Sequence, residues 1–257
     1  MSLRLVTWNI QRGGSGREQA IASVLRAANP DVVVLQEATQ PAVVERVAHD
    51  AGMQAWGALP RTSLGFLSRV PLAHHAWYRP RFSRHAFLEI VPAGTSLRIY
   101  GVHLAAVHAA WTERRRALEL KALLRSIARH PSGPHVLTGD FNTLAPGELL
   151  DVRALPRRLR TLVWLSGGRI RWRTIQRVLD AGYLDAFRAR HPSEPGLTFP
   201  TWSPHVRLDY VFVPAGDAPA IRDCRVLVGA GAAAASDHFP VLSEIAIGLP
   251  YPDAPGG

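Results

Sequence analysis

Short runs of apolar residues, separated by turn-forming residues, dominate the first hundred positions of the chain. Residues 3–9 and 31–36 have the length of strands, and the second contains a Val-Val-Val-Leu run typical of a strand buried on both faces. Residues 17–28 have helical spacing, and residues 41–51 predict a helix that opens with a proline. Pro and Gly residues separate further predicted strands at residues 65–68, 73–78, 86–91 and 96–104.

The second half of the chain adds longer helical segments. Residues 111–130 give the clearest helical pattern, and residues 149–190 are rich in helix formers. The Pro/Gly-rich tail 250–257 is expected to fray. Because strands outnumber helices yet helices occur throughout, the pattern predicts a single domain over residues 1–249, with two packed sheets and helices outside them. The later strands are predicted at residues 135–139, 208–213, 222–228 and 241–247.

The chain is strongly basic. It has 30 basic and 20 acidic residues among 257, which gives a net charge of +10. Lys121 is the only lysine, which argues against mechanisms that need a lysine Schiff base or a P-loop lysine. The charge favours phosphate-bearing partners, whether nucleic acid, anionic lipid head groups or phosphorylated metabolites, without choosing among them.

Cysteine usage and hydropathy indicate a cellular compartment. Cys224 is the only cysteine, so the chain forms no internal disulfide and no multi-cysteine zinc site. No stretch approaches the roughly 18 apolar residues of a membrane span, and the first residues lack the pattern of a secretory signal. We therefore expect a cytoplasmic protein.

Polar residues stand at the ends of predicted strands in a recurring way. A carboxylate in that position is costly unless it is paired or binds a cation. Asp140 and Asn142 are two positions apart, so in an extended chain their side chains face the same side. Carboxylate and amide oxygens suit magnesium or manganese better than zinc or copper. The strand-end residues are Asn9, Glu37, His103, Asp140, Asn142, Asp209, Asp237 and His238.

Six short motifs contain these residues and follow the order found in one known family. They are Thr7-Trp8-Asn9-Ile10, Leu35-Gln36-Glu37, Val102-His103-Leu104, Gly139-Asp140-Phe141-Asn142, Leu208-Asp209-Tyr210 and Ser236-Asp237-His238. Together they resemble the endonuclease/exonuclease/phosphatase family, also called DNase I-like. The resemblance implies an α/β fold, a four-layered α-β-β-α sandwich with two packed mixed, mainly antiparallel sheets. It also implies hydrolysis of phosphate esters that depends on Mg²⁺ or Mn²⁺.

The resemblance also implies a role for each acidic motif. Glu37 would ligate the metal, with Asn9 and Asp237 completing or supporting its shell. Asp140 would orient or deprotonate the attacking water. Hydrolysis of a phosphate ester needs such a water together with charge neutralisation on the phosphate oxygens.

The histidines and the remaining polar residues would act on the phosphate. Asn142 and His103 would hold its non-bridging oxygens, and His238 would stabilise the developing negative charge. Asp209 would accept a hydrogen bond from the His238 ring, which fixes the ring orientation and stabilises the imidazolium. Another histidine, His85, has no carboxylate or cysteine at metal-ligand spacing, so we interpret it as a surface or core residue.

An arginine-rich insertion over residues 151–180 follows the Asp140 motif. Arginine interleaved with tryptophan suits contacts with phosphate backbone and stacked bases, so nucleic acid is the first partner we expect. An anionic membrane surface is the second, because an amphipathic helix also fits the segment. A helical cap with a solvated basic face is the third interpretation. The candidate substrate-binding residues are Arg157, Arg158, Arg160, Trp164, Arg171 and Trp172.

These observations predict a metal-dependent phosphodiesterase, with a DNA or RNA nuclease as the leading function. The alternative is a sphingomyelinase-like lipid or inositol phosphate phosphodiesterase or phosphatase that acts at a membrane surface. A non-catalytic binding module that keeps the fold is a third hypothesis, although all the catalytic positions are intact. We expect a monomer.

Overall fold

The computed structural model describes residues 2–80, 83, 85–106, 110–129, 133–148, 160 and 172–247. The strands are β1 (Ser2–Asn9), β2 (Val32–Gln36), β3 (Ala55–Ala58), β4 (Leu64–Ser68), β5 (Leu72–Tyr78), β6 (Phe87–Pro92), β7 (Arg98–His103), β8 (His135–Asp140), β9 (Tyr183–Asp185), β10 (Asp209–Pro214), β11 (Ile221–Val226) and β12 (Val241–Ala246). The helices are α1 (Glu18–Ala28), α2 (Pro41–Asp50), α3 (Ala110–Ile127), α4 (Thr174–Asp180), α5 (Ala186–Arg190) and α6 (Ala230–Ala235), with 3-10 helices at Arg12–Gly14 and Ala215–Ala220.

The described strands form two six-stranded sheets. The first has the order β11-β12-β1-β2-β4-β3 and the second has the order β5-β6-β7-β8-β10-β9. β1 pairs with β2 in parallel and β7 pairs with β8 in parallel, whereas the other neighbours within the sheets are antiparallel. Both sheets are therefore mixed and mainly antiparallel, as the resemblance to the family implied.

The central strands of the first sheet are buried on both faces, because their apolar side chains point alternately to one face and the other. In β1, Leu3 and Leu5 join the core between the two sheets, where residues of the second sheet such as Ile99 also lie. Val6 and Trp8 face the other way, against α1 and α2. Successive side chains of a strand point to opposite faces, so one strand serves both cores.

Helices α3 and α4 cover the outer face of the second sheet, as α1 and α2 cover that of the first. Tyr100 and Leu137 pack with Leu120 and Leu123 of α3 and with Ile175 of α4. The layers therefore run helices, sheet, sheet, helices, and this confirms the predicted four-layered sandwich. Within the described residues, the structure has no helix with the length and hydropathy that crossing a membrane requires.

Several elements differ from the sequence prediction. β3, β9 and α6 were not predicted, and α3 ends at Ile127 rather than at residue 130. The segment 149–190, expected to be helical, contains the strand β9 between α4 and α5. The predicted tail 250–257 lies outside the described residues.

Candidate active site

The parallel strand pairs of the two sheets bring their carboxyl ends to one place. In the first sheet Asn9 is paired with Gln36, and in the second sheet His103 is paired with Asp140. β10 runs antiparallel to β8 and begins at Asp209, opposite Asp140. Because β1 and β8 pack against each other across the sandwich, the strand-end residues of both sheets meet.

Asp140 is buried at the centre of this group. Its Oδ1 accepts the backbone N–H of Asn142 at 2.9 Å, and its Oδ2 accepts the side-chain amides of Asn9 at 3.0 Å and Asn142 at 3.1 Å. Burial raises the pKa of Asp140 to about 7, although His238 and the amide donors favour the charged form. A carboxyl group with a pKa near neutrality can take up a proton at ordinary pH, as a general base must.

His238 and Asp209 form a buried hydrogen-bonded pair. The Nδ1 atom of His238 lies 2.9 Å from Oδ2 of Asp209, and its Nε2 atom lies 3.9 Å from Oδ2 of Asp140. Burial lowers the pKa of His238, but the charge and hydrogen bond of Asp209, with Asp140 and Asp237, raise it overall to about 9. The imidazole is therefore protonated at neutral pH, with hydrogens on both ring nitrogens.

His103 also lies near Asp140, but its pKa is shifted in the opposite direction to that of His238. Its Nε2 atom is 3.8 Å from Oδ2 of Asp140. Burial lowers the pKa of His103 to about 4, which the nearby Glu37 only partly offsets. The site thus holds one neutral and one protonated histidine close to the carboxyl group of Asp140.

Glu37 follows β2 in the left-handed backbone region, with φ 57°. Its carboxylate accepts the backbone N–H of Arg12 and, at 3.4 Å, the side-chain amide of Asn9. Since the same amide nitrogen donates to Asp140, Asn9 bridges the two carboxylates. Its Oδ1 accepts the backbone N–H of Gln11 at 2.9 Å, which fixes the amide in this orientation.

Asp237, which directly precedes His238 in the sequence, is half-buried. Its Oδ2 accepts the side-chain amide of Gln11 at 2.9 Å. Burial raises the pKa of Asp237 above its ordinary value. The neighbouring Ser236 donates its hydroxyl to the carbonyl oxygen of Asn9 at 2.6 Å, so the end of β1 and the Asp237 segment are tied together.

The carboxylates and histidine nitrogens of the site could hold a divalent metal. Among the described residues, Asp140, Asp209 and His238 offer ligand atoms within 4.8 Å of one another. Asp209 Oδ1 is buried and finds no hydrogen-bond partner in the described part of the chain. A buried carboxylate oxygen without a partner is costly, and a cation is one way to offset that cost.

Asn142 holds Asp140 in place. Its side-chain amide donates to the carbonyl oxygen of Leu104 at 2.9 Å and to Asp140 at 3.1 Å, which uses both amide hydrogens. Contact of this amide with a phosphate oxygen therefore requires one of these bonds to open.

The structure adds residues that the motifs did not single out. Gln11 positions both Asn9 and Asp237, and the Phe199 ring lies 4.7 Å from the His238 ring. Trp8 is fully buried and donates its indole N–H to the carbonyl oxygen of His238 at 2.8 Å. Gln11 directly follows the Thr7-Trp8-Asn9-Ile10 motif, whereas nothing in the sequence ties Phe199 to His238.

His85 also lies near the site. Its Nδ1 atom is 3.0 Å from Oε2 of Glu119, and its ring centre is 6.4 Å from that of His103. Glu119 is 34 positions later in the chain, on α3. Because the two residues are so far apart in the sequence, their spacing gave no sign that His85 has a carboxylate partner.

Most of the predicted substrate-binding residues of the insertion lie outside the described residues. These are Arg157, Arg158, Trp164 and Arg171. Arg160 is helical and exposed. Trp172 is half-buried and packs against the apolar cluster of Leu144, Val206 and Leu208.

Comparison with known proteins identifies the family. The model of the Endonuclease/Exonuclease/phosphatase family matches residues 6–238. The chain belongs to this family. Membership makes it a hydrolase of phosphate esters, in agreement with the buried acid and histidine group. A comparison with curated proteins found no match.

Solved structures of this family share the fold along nearly the whole chain. An AP endonuclease from Archaeoglobus fulgidus has a TM-score of 0.73 at 17% identity and covers 94% of this chain and 98% of its own. The 3'-5' exonuclease NExo from Neisseria meningitidis has a TM-score of 0.67 at 21% identity, covering 95% of this chain and 100% of its own. Truncated TDP2 from Caenorhabditis elegans has a TM-score of 0.64 at 15% identity, with 95% and 97% covered.

Proposed function

We propose that this protein is a Mg²⁺-dependent or Mn²⁺-dependent nuclease that hydrolyses phosphodiester bonds of DNA or RNA. The observation that carries the proposal is the position of Asp140. This buried carboxyl group is held by three amide donors, and the Nε2 atoms of a neutral and a protonated histidine lie within 4 Å of its Oδ2 atom. A water beside Asp140 would meet a base and a cationic stabiliser in one place.

The metal would be held by Glu37, supported by Asp237 and Asn9. The group formed by Asp140, Asp209 and His238 is the tighter geometric cluster. However, Nδ1 of His238 and Oδ2 of Asp209 already form a hydrogen bond with each other, which leaves this pair fewer free ligand atoms. A bound divalent cation supplies Lewis-acid polarisation of the phosphoryl oxygen and neutralises its charge.

Asp140 would orient the attacking water and take its proton. The amides of Asn9 and Asn142 fix the carboxyl group, so it is aimed before substrate arrives. Burial raises the pKa of Asp140 to about 7, which makes it a stronger base than an exposed aspartate.

The two histidines would act on the phosphate. His238 carries a positive charge that Asp209 stabilises, and it would counter the negative charge that builds up in the transition state. Burial keeps His103 neutral, so only one of its ring nitrogens carries a hydrogen, which it would donate to a phosphate oxygen.

Nucleic acid is the substrate class that the wider molecule supports. The net charge of +10 favours a polyanion. One of the similar structures is the 3' phosphatase NExo bound to a product DNA hairpin, at 21% identity and TM-score 0.67. We extend the substrate surface to the insertion, through Arg157, Arg158, Arg160, Trp164, Arg171 and Trp172.

A substrate panel tests this proposal. Purified protein would be given single-stranded and double-stranded DNA, RNA, inositol phosphates and sphingomyelin liposomes, each with Mg²⁺, Mn²⁺ or a chelator. We expect cleavage of nucleic acid that needs the metal and stops with the chelator. Hydrolysis of lipid or inositol phosphates alone would overturn the nuclease assignment and leave the phosphoester chemistry in place.

A further inference from the structure

Trp202 is the most exposed large apolar side chain among the described residues, with 72% of its surface accessible. A single exposed apolar residue needs no functional explanation by itself. Trp202 differs from the exposed Trp56 of β3 and Trp111 of α3 because its loop is hydrogen-bonded to the segment that carries His238.

The loop that carries Trp202 is fastened on both sides of His238. Thr201 donates its backbone N–H to the carbonyl oxygen of Asp237 at 2.9 Å. The backbone N–H of Phe239 donates to the carbonyl oxygen of Thr198 at 2.8 Å. The residues immediately before and after His238 therefore anchor the part of the loop that leads into Trp202.

The loop is also closed upon itself and tied to the Ser236 segment. Backbone hydrogen bonds link Phe199 with Val206 in both directions, at 3.1 Å each. The Thr201 hydroxyl donates to the carbonyl oxygen of Ser236 at 2.9 Å. These bonds restrain the backbone around Trp202, so the side chain projects from a fixed point next to the His238 segment.

A series of aromatic rings connects the site to the surface. The Phe199 ring lies 4.7 Å from the buried His238 ring and 6.4 Å from the Trp202 ring. One aromatic ring thus separates the proposed phosphate-binding histidine from an exposed indole. A nucleobase next to a phosphate bound at His238 would reach the rim at the position of this indole.

We infer that Trp202 is a stacking site for the nucleobase beside the scissile phosphate. This inference rests on the proposed nuclease function and adds where the substrate is held. Stacking of a base on an aromatic side chain is favourable and tolerant of sequence, since every base has a π-face. Trp202 would therefore strengthen substrate binding without selecting one base and without taking part in the chemical step.

The test compares Trp202→Ala and Trp202→Phe with Trp56→Ala, which removes an exposed tryptophan from the edge strand β3. Steady-state kinetics would use a single-stranded oligonucleotide and a matched one with abasic analogues flanking the cleaved bond. We expect Trp202→Ala to raise KM for the first about tenfold with little change in kcat. Trp202→Phe should keep most of the affinity, and the abasic substrate should hardly distinguish wild type from Trp202→Ala.

Binding without turnover separates this inference from the nuclease proposal. In an Asp140→Asn background, single-stranded DNA should quench tryptophan fluorescence, and Trp202→Ala should remove much of that quenching. Such quenching in a protein whose wild type cleaves no nucleic acid would overturn the nuclease proposal and keep the stacking site. A Trp202→Ala protein with the same KM and the same quenching as Trp56→Ala would overturn the stacking site. An equal rise in KM for the normal and the abasic oligonucleotide would overturn it as well.

Discussion

A Cβ atom at Gly139 would lie 1.9 Å from the carbonyl oxygen of Val102. The two residues are paired in the parallel register of β8 and β7, immediately before Asp140 and His103. Gly139 also has φ 146°, a conformation that side-chain-bearing residues rarely adopt. This close approach sets the relative position of the proposed base and the neutral histidine.

Gly139→Ala should therefore destabilise the protein by at least about 3 kcal/mol, because the clash is with backbone that cannot rotate away. Gly52→Ala is the matched control, since Gly52 also has positive φ but has open space around it. It should cost about 1 kcal/mol. Urea unfolding of both variants measures the difference, and equal losses would show that the β7–β8 approach is not a constraint.

Asp209→Asn should lower kcat about 100-fold or more with little change in KM. The substitution removes the charge that keeps His238 protonated, yet it preserves the shape of the side chain. Steady-state kinetics on the substrate that the wild type cleaves measures the change in kcat and KM. Asp180→Asn is the control, because Asp180 is exposed. A Asp209→Asn enzyme with near-normal kcat would mean that the His238–Asp209 pair only supports the fold.

Glu37→Gln should weaken Mg²⁺ or Mn²⁺ binding more than tenfold, because it removes the proposed carboxylate ligand. Asp209→Asn should change metal affinity only a few-fold, since Asp209 is occupied with His238. Isothermal titration calorimetry on both variants decides the matter. The opposite order would place the metal in the Asp140, Asp209 and His238 cluster.

Glu113 of α3 joins three parts of the fold. Its Oε1 accepts the backbone N–H groups of Arg173 and Thr174 at the start of α4, both at 2.7 Å. Its Oε2 accepts Nε of Arg116 at 3.1 Å and the Thr143 hydroxyl at 2.9 Å. Burial raises the pKa of Glu113, but Arg116 and these hydrogen bonds outweigh it and lower the pKa overall.

Glu113→Gln should destabilise the protein by about 3 kcal/mol at pH 7, because Arg116 would lose its buried partner. A lowered folded-state pKa means that the unfolded chain binds the proton more readily. The stabilisation by Glu113 is therefore complete above its ordinary pKa of 4.5 and is lost as the pH falls through the lower folded value. Denaturant unfolding across pH 3–7 should show the gap between wild type and variant narrowing in acid, whereas a constant gap would contradict this role.

The strand-end residues and the sandwich could be predicted from the sequence because both depend on local patterns. Runs such as Val32–Gln36 are buried on both faces, and each ends beside a polar motif residue such as Glu37. The parallel pairs β1–β2 and β7–β8 then bring those ends together.

The missed elements lack such patterns. β9 has three residues, and β3 contains Gly57, a poor strand former. α6 is almost entirely alanine and has no apolar–polar periodicity to detect. The contacts of Phe199 with His238 and of Glu119 with His85 join segments far apart in the chain, so only the folded structure reveals them.

The most direct test of the central claim is Asp140→Asn on whichever substrate the wild type cleaves. The variant keeps the shape of the side chain but cannot take a proton from water. We predict that kcat falls at least about 1000-fold while the substrate still binds, and that Asp180→Asn behaves like wild type. An Asp140→Asn enzyme that turns over at the rate of the Asp180→Asn control would contradict the account, because the buried carboxyl group would then have no part in hydrolysis.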